Sequence, residues 1–235
     1  MIREILSNPT PINIVLVVFS YLIIFLISFP IHESAHALMA KWLGDTTAEE
    51  QGRISLNPLN HLDPMGTILM LLCGFGWAKP VPVQAYKARK VSMRNVMALT
   101  ALAGPVSNIL IALVTFIIAK VVIVLNPGEC PCILMPYSYY VTDSVIANIV
   151  FALDMIISIN IGLAIFNLIP IPPLDGSHIV AAFLPNKIYF SIMKYEHYMR
   201  IALFVIMGSS LLSRPLSLIT YYVTVGLDFI TGFIC

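Results

Sequence analysis

Residues 12–44 read INIVLVVFSYLIIFLISFPIHESAHALMAKWLG. The first twenty carry no charge, and about 20 consecutive apolar residues are what a helix needs to cross a bilayer. The run then passes without a break into His32-Glu33-Ser34-Ala35-His36 and ends at Gly44, a natural C-terminal stop for a helix. Ionisable groups at membrane depth cost roughly 2.5 kcal/mol or more each and are functional by default. Three of them in five residues make an idle cluster a poor reading. Positions i and i+4 share a helix face, so His32 and His36 can address one ion, and Glu33 can reach a water bound to it. Zinc suits such a site, because it takes nitrogen and oxygen ligands and, with three from the protein, keeps a fourth position for water.

The rest of the chain agrees with a membrane setting. Of 235 residues 59% are hydrophobic and 11% charged, with a mean hydropathy of +0.90, whereas ordinary soluble domains carry about 25% charged residues. A net charge of +1 without a basic cluster excludes nucleic acid as a partner. The cysteines, Cys73, Cys130, Cys132 and Cys235, form no CxxC pair, so neither a zinc ribbon nor a disulfide framework is indicated. Residues 1–31 look like a secretion signal but lack a small-residue cleavage site before His32, and are expected to stay in the mature protein.

Further spans are expected at 95–125, interrupted only by Lys120, and at 144–169, with one charge at Asp154. A C-terminal pair at about 198–213 and 215–233 is separated by Arg214-Pro215, read as a turn. Residues 65–77 are apolar but short, and read as re-entrant rather than crossing. The connection 77–95 holds Lys79, Lys87, Arg89, Lys90 and Arg94 with no acid, whereas 127–143 holds Glu129 and Asp143 with no base. The positive-inside rule therefore puts the first in the cytoplasm and the second outside. The third span then delivers Asp175 to the cytoplasmic side. For His32 and His36 to share a metal with it, the N-terminus must lie outside.

A third ligand has several candidates by chemistry: His61, Asp63, Asp154, Asp175, His178, Glu196 and His197. Asp175 stands out because it follows Pro170, Pro172 and Pro173, which break the third span where irregular backbone must be buried or line a watery cavity. Asn108 and Asn167 are candidate donors to a developing oxyanion, with hydrogen bonding across helix interfaces as the plain alternative. His61 and Asp63 read either as ordering or gating the re-entrant loop or as turn residues. His178 and His197 read as interfacial, and Asp154 as paired with a polar neighbour.

Taken together, these residues resemble the site-2 protease family of intramembrane zinc metalloproteases. The resemblance is carried by HExxH at 32–36, by AGPVSN at 103–108 and by NLIPIPPLDG at 167–176, in that order. RISLNPLNHLDPMG at 53–66 and GWAKPVP at 76–82 resemble a compact prokaryotic branch. It implies an all-α polytopic membrane protein, a single domain over 1–235 with a three-helix catalytic core at about 12–180. It implies one zinc ion on His32, His36 and Asp175, with Glu33 as catalytic acid and base. A β-hairpin of the family is expected within 50–82, and the PDZ or CBS domains of many relatives are not. The expected substrate is a membrane protein with a transmembrane segment, cut within the bilayer of the cell membrane. The rival class is a metal transporter, which predicts ligands repeated along several spans; the sequence holds one compact constellation.

Overall fold

The computed structural model of the protein describes residues 10–73, 78–88, 91–128, 144–185, 194–208 and 212–234, with single positions 5, 188 and 191. Among these the regular structure is helical, without a β-strand.

The opening run folds as one rod in three pieces. Helix α1, Pro11–Ile23, starts at Thr10, whose side chain accepts the Asn13 amide, with Pro11 at the position where a missing N–H costs nothing. Its register then widens into a π-helical turn, Ile24–Ser28, before α2, Phe29–Leu43. Pro30 has no N–H to give the preceding turn, and the wider ring there is closed instead by the Phe29 amide on the Ile24 carbonyl. Gly44, at φ 105°, ends the rod in the left-handed conformation that favours glycine, as its position in the sequence predicts.

Beyond the rod come a short helix α3, Thr47–Glu50, and helices α4, Pro64–Cys73; α5, Met93–Leu125; α6, Val145–Asn167; α7, Asp175–Ala181; α8, Glu196–Gly208; and α9, Ser213–Ile230. Ser92 and Ser144 cap α5 and α6 by accepting the amides three residues on. The Pro11–Leu43 rod, α5 and α6 are each long and apolar enough to cross a membrane, and their bounds lie within two residues of the expected spans. Helix α5 is the hub, packed on α6, α2 and α7, while α1 and α9 lie against α6. Apolar core contacts run from Ala112, Phe116 and Ile123 of α5 to Val150, Ile157 and Ile161 of α6 and Leu227 of α9.

The outer faces are as apolar as the core. Val15 and Phe19 on α1 and Leu110 and Val114 on α5 are exposed, while Thr100, Asn108 and Lys120 are buried. That inversion suits hydrocarbon, in which polar groups must be satisfied inside the bundle.

One expectation is sharpened here and another is corrected. The segment read as re-entrant is helix α4 over ten residues. Leu62 and Ala78 form an antiparallel bridge at its base, and the Lys79 amide bonds the His61 carbonyl at 2.8 Å. The chain thus leaves and returns to one point. The hairpin expected from the resemblance is reduced, among the described residues, to that bridge; residues 74–77 and the acidic loop 129–143 lie outside them. In the C-terminal pair, Arg214-Pro215 is not the turn: both residues sit in the first turn of α9, where proline is tolerated. Helix α8 spans only 13 described residues, about 20 Å of rise against a hydrocarbon core of about 30 Å. Helix α9 buries Thr220, Thr224 and Leu227, with Thr231 buried just past its end, and exposes Leu218, Tyr222 and Phe229. Near its end, Asp228 Oδ1 takes the Lys120 ammonium at 2.8 Å, so α5 and α9 have their C-terminal ends side by side.

Candidate metal centre

His32 and His36 lie one turn apart on α2, on the face turned to α5, and are 8% and 7% exposed. Their rings meet edge to face with centroids 4.7 Å apart and Nε2 atoms 3.1 Å apart. The Asp175 carboxylate completes the group, Oδ2 lying 3.4 Å from His32 Nε2 and Oδ1 3.5 Å from His36 Nε2. Asp175 gets there because the chain beyond α6 turns back on itself and restarts as α7. Gly176 allows the turn: a Cβ on it would collide with the Leu168 carbonyl group and lie 2.5 Å from the Ile169 oxygen.

Helix α5 supplies the third wall. His36 Nδ1 donates to the Thr100 carbonyl at 2.7 Å, which leaves the Nε2 lone pair of the neutral ring facing the cluster. One turn on, Gly104 lies against both imidazoles. A Cβ added there would stand 2.5 Å from His36 Cε1 and 2.6 Å from His32 Cε1, closer still to His36 Nε2. Thr100, Gly104 and Asn108 follow at four-residue steps along one stripe, so the AGPVSN segment is the surface on which the histidines rest.

The donor set fits a tetrahedral cation. Two imidazole nitrogens and a carboxylate oxygen lie within 4.8 Å of one another. Ligands about 2.0–2.1 Å from a tetrahedral zinc are separated by about 3.3 Å along each edge, close to the 3.1, 3.4 and 3.5 Å found here. Lone pairs and a negative charge pointed at one spot repel unless a cation or proton lies between them. Burial alone would push the Asp175 carboxyl up. Where protons rather than a cation fill that spot, hydrogen bonds and charge from His32 and His36 outweigh it and hold the group below the ordinary carboxylate range.

Other candidates fall elsewhere. Glu33, next along α2, is buried at 8% exposure. Asn108 is 1% exposed, its Oδ1 without a partner among the described residues, and Asn167 is the last, half-buried residue of α6. Asp63 caps α4, its Oδ1 accepting the Gly66 amide at 2.8 Å. His61 is wholly buried and donates from Nε2 to the Ser55 carbonyl. Glu196 pairs with Arg200, and His197 stacks edge-on against Tyr198. Burial pushes the half-buried His178 imidazole down. Asp154 is buried in α6 and is not among the residues gathered with the histidines. Sequence reasoning missed the part played by Thr100 and Gly104, although the Ala103-Gly104-Pro105 step, small residues in an otherwise bulky span, marks the spot.

Comparison with known proteins gives the family of the chain. Residues 131–209, the stretch containing Asp175, match "Peptidase family M50". The chain is 39% identical over 183 residues to "Putative zinc metalloprotease YwhC" of Bacillus subtilis (strain 168), covering 76% of this chain and 75% of the relative. It is 27% identical over 192 residues to "Putative zinc metalloprotease MJ0611" of Methanocaldococcus jannaschii, covering 76% and 83%. No solved structure matches. The similarity to YwhC spans three quarters of both chains, and with it the chain belongs to peptidase family M50, the site-2 protease family.

Proposed function

We propose that the protein is an intramembrane zinc metalloprotease that hydrolyses peptide bonds in membrane-embedded segments of other proteins. The observation that carries the reading is the convergence of His32, His36 and Asp175 on one point, at tetrahedral edge lengths, with Glu33 adjacent on the same helix. The three side chains hold a single zinc ion. When bound, that ion supplies Lewis acidity, bringing the pKa of a water toward about 7 and polarising a carbonyl.

The chain's own groups do the rest. Glu33 accepts the proton of the attacking water and returns it to the leaving amine nitrogen, which keeps the proton count balanced between the two half-steps. Asn108, buried one turn beyond Gly104, and Asn167, the last residue of α6, are the amides we assign as donors to the oxyanion. The catalytic core is the rod, α5 and α6 within one domain, and the active site faces the cytoplasmic half of the cell membrane with the N-terminus outside. This orientation rests on the basic 77–95 connection and the acidic 127–143 loop. The transport alternative finds one metal-binding group, not a series, among the described residues.

The test is Glu33→Gln in purified protein, assayed on a single-span reporter. The variant is expected to keep its zinc and lose at least about 10²-fold in cleavage rate. Undiminished cleavage would remove Glu33 from the chemistry.

A further inference from the structure

The motif RISLNPLNHLDPMG is left unexplained by a three-ligand site, and its contacts with α2 are specific. Ser34, inside HExxH, donates from Oγ to the Ser55 carbonyl at 2.6 Å and accepts the Ser55 amide at 3.2 Å. The same carbonyl takes a second hydrogen bond from His61 Nε2 at 2.7 Å. Because a carbonyl can only accept, that ring nitrogen carries the proton. Arg53, 4% exposed, ties the segment to the returning limb: its guanidinium donates to the carbonyls of Asn60 (2.7 Å), Pro80 (3.3 Å) and Lys79 (3.4 Å).

Ser34 faces a particular direction. At about 100° per residue, it lies about 180° round α2 from the mean direction of His32 and His36. The metal helix is thus gripped from both sides: in front by Thr100, which holds His36 Nδ1, and behind by Ser55. A rotation of α2 that moved Glu33 would stretch both contacts at once. The rear one is fixed by His61, which is wholly buried and shares its acceptor with Ser34.

We infer that His61 is a positioning residue for the metal helix, acting through the Ser55 carbonyl and Ser34 to fix the rotation of α2 and with it the aim of Glu33. The inference rests on the proposed role of Glu33 as proton carrier. It separates His61 from the ligand set, in which its residue type alone would place it, and it gives the 53–66 and 76–82 motifs a common purpose as a rear brace.

The experiment compares wild type, His61→Ala, His61→Gln and Ser34→Ala for zinc content, kcat and KM on the single-span reporter, and exchange of the Ser55 amide. The brace predicts full zinc content, unchanged KM and a fall in kcat of about fivefold to tenfold for His61→Ala and Ser34→Ala, the scale of one lost hydrogen bond. Glutamine can present an N–H at a similar reach, so His61→Gln should recover most of the kcat. Exchange at Ser55 should quicken in both damaged variants and return in His61→Gln. Unchanged kcat in both, or loss of zinc that glutamine does not restore, would overturn the inference. If His61→Ala does not accumulate in membranes, Ser34→Ala reads the same contact. If wild type itself cuts no reporter, the hydrolysis reading fails, while the exchange at Ser55 still reports whether the brace exists.

Discussion

Helix α5 carries two buried polar centres about 24 Å apart along its axis, sixteen residues from Gly104 to Lys120. At Lys120 the ammonium, 1% exposed, meets Asp228 Oδ1 at 2.8 Å and the carbonyls of Asp228 and Thr231 at 3.4 Å. Three acceptors answer three N–H donors, and the ring of Phe116 lies 5.7 Å from the same nitrogen. Around Gly104 the balance is reversed: two imidazole nitrogens and a carboxylate converge, all acceptors in their binding forms. A buried charge whose partners are complete is a fastening, here of α9 to α5. A buried set of acceptors without a donor is a place for a cation. Burial and ionisable residue type are common to both; the difference lies in stoichiometry.

Perturbing each centre should give opposite signatures. The largest effect is expected from Gly104→Val, which drives a branched side chain into both imidazoles. Zinc content measured by atomic absorption should fall by more than tenfold while the protein remains folded in detergent, because the clash is with two side chains and not with the helix backbone. Next is Lys120→Met. Removing one partner of a buried pair costs about 3–5 kcal/mol, but the Asp228 side chain is 35% exposed and can find water, so a loss nearer 1–3 kcal/mol is expected. It should appear as a lower Tm with zinc content unchanged, and Lys120→Met with Asp228→Leu should regain much of it. A fall in zinc content in that variant would merge the two centres into one. The smallest effect concerns a candidate ligand that turns out to be a cap. Asp63→Ala should cost about 1 kcal/mol locally, visible as faster exchange of the Gly66 and Thr67 amides with neither zinc nor kcat altered.

Much of this contrast is legible in the residues. The rod, α5 and α6 are read from apolar length, and the pairing of HExxH with Asp175 from prolines that break a span where polar backbone needs a reason to be. Lys120 is visible as the one charge in its span, but its partner is not, since nothing local joins it to Asp228, 108 positions away. The π-turn before His32 is hidden for a similar reason: Pro30 signals a disturbed hydrogen bond, not how the helix absorbs it. Thr100 contributes only a carbonyl, which every residue has, so its hold on His36 leaves no mark in the side-chain alphabet. The brace at Ser55 is of the same kind. His61 and Asp63, chemically eligible as ligands, are distinguished only by what lies next to them.

The reading of the metal centre turns on Asp175, the ligand that sequence separation makes least certain and geometry makes most specific. Zinc content of purified wild type and Asp175→Ala, with folding monitored alongside, addresses it directly. The expected result is about one zinc per chain in wild type and a loss of at least tenfold in the variant at unchanged helicity. Wild-type occupancy in Asp175→Ala would contradict the three-ligand site.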